Sequence, residues 1–124
     1  MIEHDYLMRI IHDMIKTIIK LLFNINEDNI ENMQVDDVIS AEKYKKLIEL
    51  AKNGNINEAE NQLYKYIDIS NKNELKIALM FYSYLNNLDN KTLEKANYTY
   101  EEIGDGVKYV MNLFGYDGIA DMLM

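Results

Sequence analysis

Apolar residues return every three or four positions along nearly the whole chain, and no stretch alternates convincingly with period two, which predicts helices throughout and an all-α fold. The first helix is expected from about Asp5 to Phe23. Its apolar residues, Leu7 and Met8 through Ile11, Ile15 and Ile18 to Leu22, cover about half the circumference, wider than the usual stripe of roughly 100°. Residues 26–42 then carry six acids and no base, which reads as a long and partly mobile connection. A second helix is expected from about Ser40 to Asn53, with Ser40 as cap and Gly54 as its left-handed stop. A third starts at Asn57 and Glu60 and runs to about Ile69, burying Ala59, Leu63, Tyr66 and Ile67.

The fourth segment, Leu75 to Leu88, is apolar almost all round. Only Lys76, Ser83 and Asn87 form a narrow polar strip, so this helix belongs at the centre of the domain. A short helix over Lys91–Ala96 follows. Thr99 with Glu102 makes a capping box for a longer helix to Phe114, whose inner face is Ile103, Val107, Val110 and Phe114. Gly115 closes it, and Asp117 caps a last short helix, Gly118–Met124, with Ile119, Ala120 and Leu123 turned inward. The expected architecture is one domain, 1–124, a compact bundle of five to seven helices around a buried helix near 75–88.

Composition narrows the chemistry. With 124 residues and 48% hydrophobic side chains, one core is affordable without staples, and the lack of cysteine removes disulfides, thiolate metal sites and cysteine nucleophiles. A net charge of −8 with a single arginine argues against nucleic acid and against anionic membranes. Charges within the first helix break any membrane span or secretory signal. An abundance of Ile, Asn, Lys and Tyr fits AT-rich coding and a low-GC bacterium.

No catalytic, cofactor or metal site emerges. His4-Asp5 and His12-Asp13 are the only histidine pairs, and eight helical residues separate the two histidines by about 12 Å, too far for shared ligation. His12 reads as a boundary residue beside Ile19. Ile103-Gly104-Asp105-Gly106 lacks the third glycine and the preceding strand of a phosphate loop, so Gly106 is expected to permit close helix contact. Adjacent acids such as Glu101 and Glu102 read as solvated surface. The tyrosines fall in i, i+2 pairs (Tyr64 and Tyr66, Tyr82 and Tyr84, Tyr98 and Tyr100). One member of each is expected inward and the other elsewhere, so outward tyrosines on neighbouring helices could line a groove for a partner.

Two resemblances follow from particular segments. Gly54-Asn55-Ile56-Asn57-Glu58-Ala59 with Leu63 resembles the turn and second helix of a tetratricopeptide hairpin, echoed weakly by Gly115-Tyr116-Asp117-Gly118-Ile119-Ala120 without a repeat period. The opening Ile2-Glu3-His4-Asp5-Tyr6-Leu7-Met8-Arg9, the central Ile56–Tyr64 and the closing Gly118–Leu123 together resemble a family of short bacterial proteins from low-GC Gram-positive organisms, a domain of unknown function. That resemblance implies a stand-alone helical protein with tetratricopeptide-like packing and brings no site residue or cofactor. The expected function is a cytoplasmic, non-enzymatic interaction module that binds a partner protein or itself as a homodimer. Ile11, Ile18, Tyr64 and Tyr84 are the candidate surface. The alternative is a small-molecule or peptide-ligand sensor with a tyrosine-lined pocket.

Overall fold

The longest amphipathic run becomes the longest helix, α1 (Ile2–Phe23), in a computed structural model that describes residues 2–123. The side chains of Ile2, Glu3 and Ala120 lie outside that description, as do Met1 and Met124, so the expected inward turn of Ala120 and the reach to Met124 fall outside it. Helix α1 ends where Asn24 takes a left-handed φ of +57° and its N–H donates to the Lys20 carbonyl, a short polar side chain doing what glycine usually does.

The rest of the chain runs through a 3-10 turn (Ile30–Asn32), α2 (Val38–Lys52), α3 (Ile56–Tyr66), α4 (Lys72–Asn86), α5 (Asn90–Lys95), α6 (Tyr100–Leu113) and α7 (Ile119–Leu123). The protein is all-α, with no strand among the described residues. No helix described is long and apolar enough to cross a membrane. Gly54 and Gly115, at φ +84° and +83°, end α2 and α6 in the same way. In each, the next N–H reaches back five residues (Asn55 to Leu50, Tyr116 to Met111), and Asn97 at φ +57° repeats this after α5.

Helix α4 is the axis of the bundle, packed against α1, α2, α6 and the 3-10 turn. From Ile77 to Ser83 every side chain is buried, as expected of a helix apolar nearly all round. Its N-terminus is fixed by Asn71, whose side chain accepts from the Asn73 N–H. The polar strip of α4 is used as well. Lys76 donates to the Gln34 carbonyl, while Ser83 and Asn87 donate to the Glu31 carboxylate, and Ile30 is wholly buried beneath. The acidic connection is thereby strapped along α4 through Glu31 and Gln34. Tyr44 secures it from α2 by donating to the Glu31 carbonyl at 2.6 Å.

Helix α2 begins two residues earlier than expected, at Val38, with Asp37 in the cap position. Ser40 is not the cap: it is fully buried in the first turn and shares its one hydroxyl proton between the Asp37 and Glu74 carboxylates. Helix α3 likewise starts at Ile56, because the Asn57 amide is drawn away to the Ala96 carbonyl at 2.9 Å. The expected cap before α6 forms, with Thr99 Oγ1 accepting from the Glu102 N–H at 3.1 Å, but the Glu102 carboxylate returns to the Thr99 hydroxyl at 3.2 Å and not to its N–H. The terminal helix α7 packs against α6 and α1.

The wide apolar face of α1 is consumed by this bundle. Ile11, Met14, Ile15, Ile18 and Ile19 are all 0–1% exposed. Each such burial is worth about 1.5–3 kcal/mol, so together they are comparable with the whole net stability of a small domain, about 5–15 kcal/mol. This corrects the expectation for Ile11 and Ile18, which are core residues and unavailable as a shared surface.

Candidate functional site

Helices α3 and α4 and the connection that precedes α6 bring three tyrosines onto one carboxylate. Glu60 stands one turn before Tyr64 on α3, so the two side chains share a face. Its Oε2 accepts from Tyr82 at 2.6 Å, Tyr98 at 2.7 Å and Tyr64 at 3.0 Å, while the Tyr64 and Tyr82 hydroxyls also bond each other. Three hydroxyl protons serve four short contacts. Tyr82 and Tyr98 therefore donate to the carboxylate, and Tyr64 divides its proton between Glu60 and Tyr82. Burial pushes all three phenols above their ordinary range, with the nearby carboxylate adding to the shift, so they remain neutral donors.

The approach of α6 to α4 depends on Gly106. A Cβ there would lie 2.4–2.5 Å from Cζ, Cε1 and the hydroxyl oxygen of Tyr82. Glycine inside a helix costs roughly 1 kcal/mol relative to alanine, and here it makes room for the Tyr82 ring to reach Glu60. The expected role of Gly106, close helix contact, is what the structure displays.

Above this network lies an open hollow of about 330 Å³, lined by Glu60, Tyr64, Glu102, Asp105, Gly106 and Tyr109. Tyr109 is 48% exposed and meets Tyr64 edge to face at 4.8 Å between centroids. Ion pairs among the described residues join Lys16 to Asp28, Lys43 to Glu74 and Lys108 to Asp121, leaving the three carboxylates of the hollow without a cation. Carboxylates beside the electron-rich faces of two phenols make a site for positive charge.

A second concavity of about 410 Å³ opens between α2, α3 and α4. Leu47, Leu63 and Ile77 form its floor, Lys43 and Lys46 stand on its wall, and Tyr66 lies at its rim. Glu74, with its side chain 2% exposed, closes one end. Its charge is met by Lys43 at 2.7 Å, the Ser40 hydroxyl at 2.7 Å and the Asp68 N–H at 3.3 Å. A buried carboxylate needs this full set of donors.

The residues expected at a surface divide. Tyr64 lines the hollow, with Tyr109 as its partner on a neighbouring helix, whereas Tyr84 is half-buried against the core and faces neither concavity. Tyr66, expected inward, is 56% exposed, because α3 ends there and the chain turns away. Tyr98 and Tyr100 are both buried, contrary to the pairing rule. Tyr98 precedes α6, so helical angles do not relate the two. His4 lies beside the Tyr100 ring, 5.9 Å between centroids. Glu60 was expected only as part of a helix start, Asp105 only within a rejected phosphate loop, and Tyr109 not at all. The i, i+4 spacings of Glu60 with Tyr64 and of Asp105 with Tyr109 were the only local signals, and nothing along the chain joins those two pairs or brings Tyr82 and Tyr98 to them.

Neither the curated proteins nor the solved structures hold a match to this chain. Residues 1–115, nearly its full length, match the family described as "Family of unknown function (DUF6483)", and the chain belongs to that family.

Proposed function

We propose that this chain is a non-enzymatic, cytoplasmic interaction module, with tetratricopeptide-like hairpin packing, that takes a basic side chain of a partner protein into the hollow between α3 and α6. The observation that carries this reading is the pairing of Tyr64 and Tyr109 with three carboxylates that have no cation of their own among the described residues. A lysine or arginine stem packs along the rings while its charge meets Glu60, Glu102 and Asp105. The net charge of −8 steers basic partners toward the surface. The rigid base of the hollow limits the ordering cost of binding, because Tyr64 is already held by Glu60 and Tyr82.

A small-molecule sensor is the second reading, favoured by the same hollow when the cation is a free organic ammonium. One titration separates them. Amide ¹H–¹⁵N spectra are followed with a tetralysine peptide and, separately, with choline. The module predicts peptide-induced shifts centred on Tyr64, Gly106 and Tyr109 that weaken with salt and vanish in Tyr109→Ala, an exposed position whose loss leaves the fold intact. Shifts at those amides with choline but not with the peptide support the sensor. Shifts scattered over the surface and indifferent to Tyr109→Ala refute both.

A further inference from the structure

We infer that the cleft between α2, α3 and α4 is a second docking site, independent of the hollow, for a partner-protein segment carrying an apolar side chain next to a carboxylate. Charge complementarity carries the choice of occupant. The Lys43 ammonium has three donors and spends two, on Glu74 and on the Tyr66 carbonyl, both at 2.7 Å. Lys46, on the same wall and exposed, makes no ion pair among the described residues. Glu74 is matched by Lys43, so among the charged side chains that line the cleft the Lys46 ammonium is left over, in a chain whose net charge is −8.

The apolar half of the recognition is equally local. Leu47, Leu63 and Ile77 supply the apolar lining of this concavity of about 410 Å³. Ile39, 69% exposed, stands one turn before Lys43 on the same face of α2. Tyr66 and Ile69, 56% and 59% exposed, flank the other side, and the Asn71 amide joins that connection to α2 by donating to Asp37 at 3.0 Å. With Val38 these are four of the eight large hydrophobic side chains exposed among the described residues, gathered at one edge. An exposed apolar cluster rimmed by polar groups marks an interaction surface.

The test is panning of a phage-displayed library of random 12-residue peptides on the whole protein, followed by fluorescence anisotropy of the enriched sequences. The expected peptides place Asp or Glu beside Leu, Ile or Phe. They bind Lys46→Glu and Ile39→Ser at least tenfold more weakly, and bind Tyr109→Ala as they bind the wild type. Both Lys46 and Ile39 are exposed, so matching melting curves exclude unfolding as the cause. Enriched peptides without an acid, equal binding to Lys46→Glu, or no enrichment at all overturns the assignment. So does a dimer seen by light scattering that Lys46→Glu dissociates, because the cleft then belongs to a second copy.

Discussion

Replacing Gly106 by alanine asks whether the Tyr82–Glu60 network truly depends on the absence of one methyl group. At an open helical site the change stabilises by about 1 kcal/mol. Here the new Cβ would sit 2.4 Å from Cζ of Tyr82, a ring that is 0% exposed and pinned through its hydroxyl. Ordinary contact needs a displacement of about 1 Å, and overpacking of this kind costs about 1–3 kcal/mol. Moving the ring also breaks a hydrogen bond to a charged acceptor, worth about 1.5–3 kcal/mol. Offsetting these by the helical gain leaves a net destabilisation of about 3 kcal/mol. For a domain of this length that lowers Tm by roughly 10 °C. Thermal and urea unfolding followed by helical circular dichroism report it, provided the transition is two-state. Adding Tyr82→Leu should recover part of the loss, since leucine lacks the ring atoms that clash. A single variant Gly106→Ala as stable as the wild type, or more so, would falsify the packing argument.

Other outcomes follow from separate features. Leu79→Ala, at a fully buried position on the central helix, should cost about 2–5 kcal/mol in urea unfolding, whereas Leu21→Ala, 64% exposed, should stay within about 0.5 kcal/mol; equal effects would contradict the placement of α4. Lys43→Met leaves Glu74 buried with only the Ser40 hydroxyl and the Asp68 N–H, and because Lys43 is about one-third exposed the loss should be about 2 kcal/mol, below the range of about 3–5 for fully buried pairs. Lys46→Met, by the same assay, should be nearly neutral. The Ser40 hydroxyl, then the Asn71 amide, hold the Asp37 carboxyl below its ordinary range, and Thr92 does the same for Asp89. A depressed folded-state pKa contributes stability above the unfolded value, about 3.9, and loses it as pH falls through the folded value. The urea midpoint should therefore drop below about pH 4, with a shallower drop in Asp37→Asn; an identical acid profile in that variant would remove Asp37 from the account.

What the sequence determined by itself was the set of helices and the identity of the central one. Those follow from local rules: a 3.6-residue apolar period, Thr99 with Glu102, glycine at the ends of α2 and α6, and a segment after Leu75 with almost no polar face. Tertiary structure decided where surplus apolar and acidic surface went. The half-apolar α1 looked fit for a partner, yet its isoleucines are spent on the chain's own core, because burial within one molecule carries no cost of association. The acidic connection looked loose, yet Glu31 meets the polar strip of α4, a match visible only once 52 to 56 residues of separation are closed. Glu60 was an ordinary helical acid until Tyr82 and Tyr98 converged on it, and Lys46 an ordinary surface cation until Tyr66 and Leu63 made a cleft beside it. Periodicity is a property of neighbours along the chain, whereas a site is made of neighbours in space, and only packing brings the second kind together.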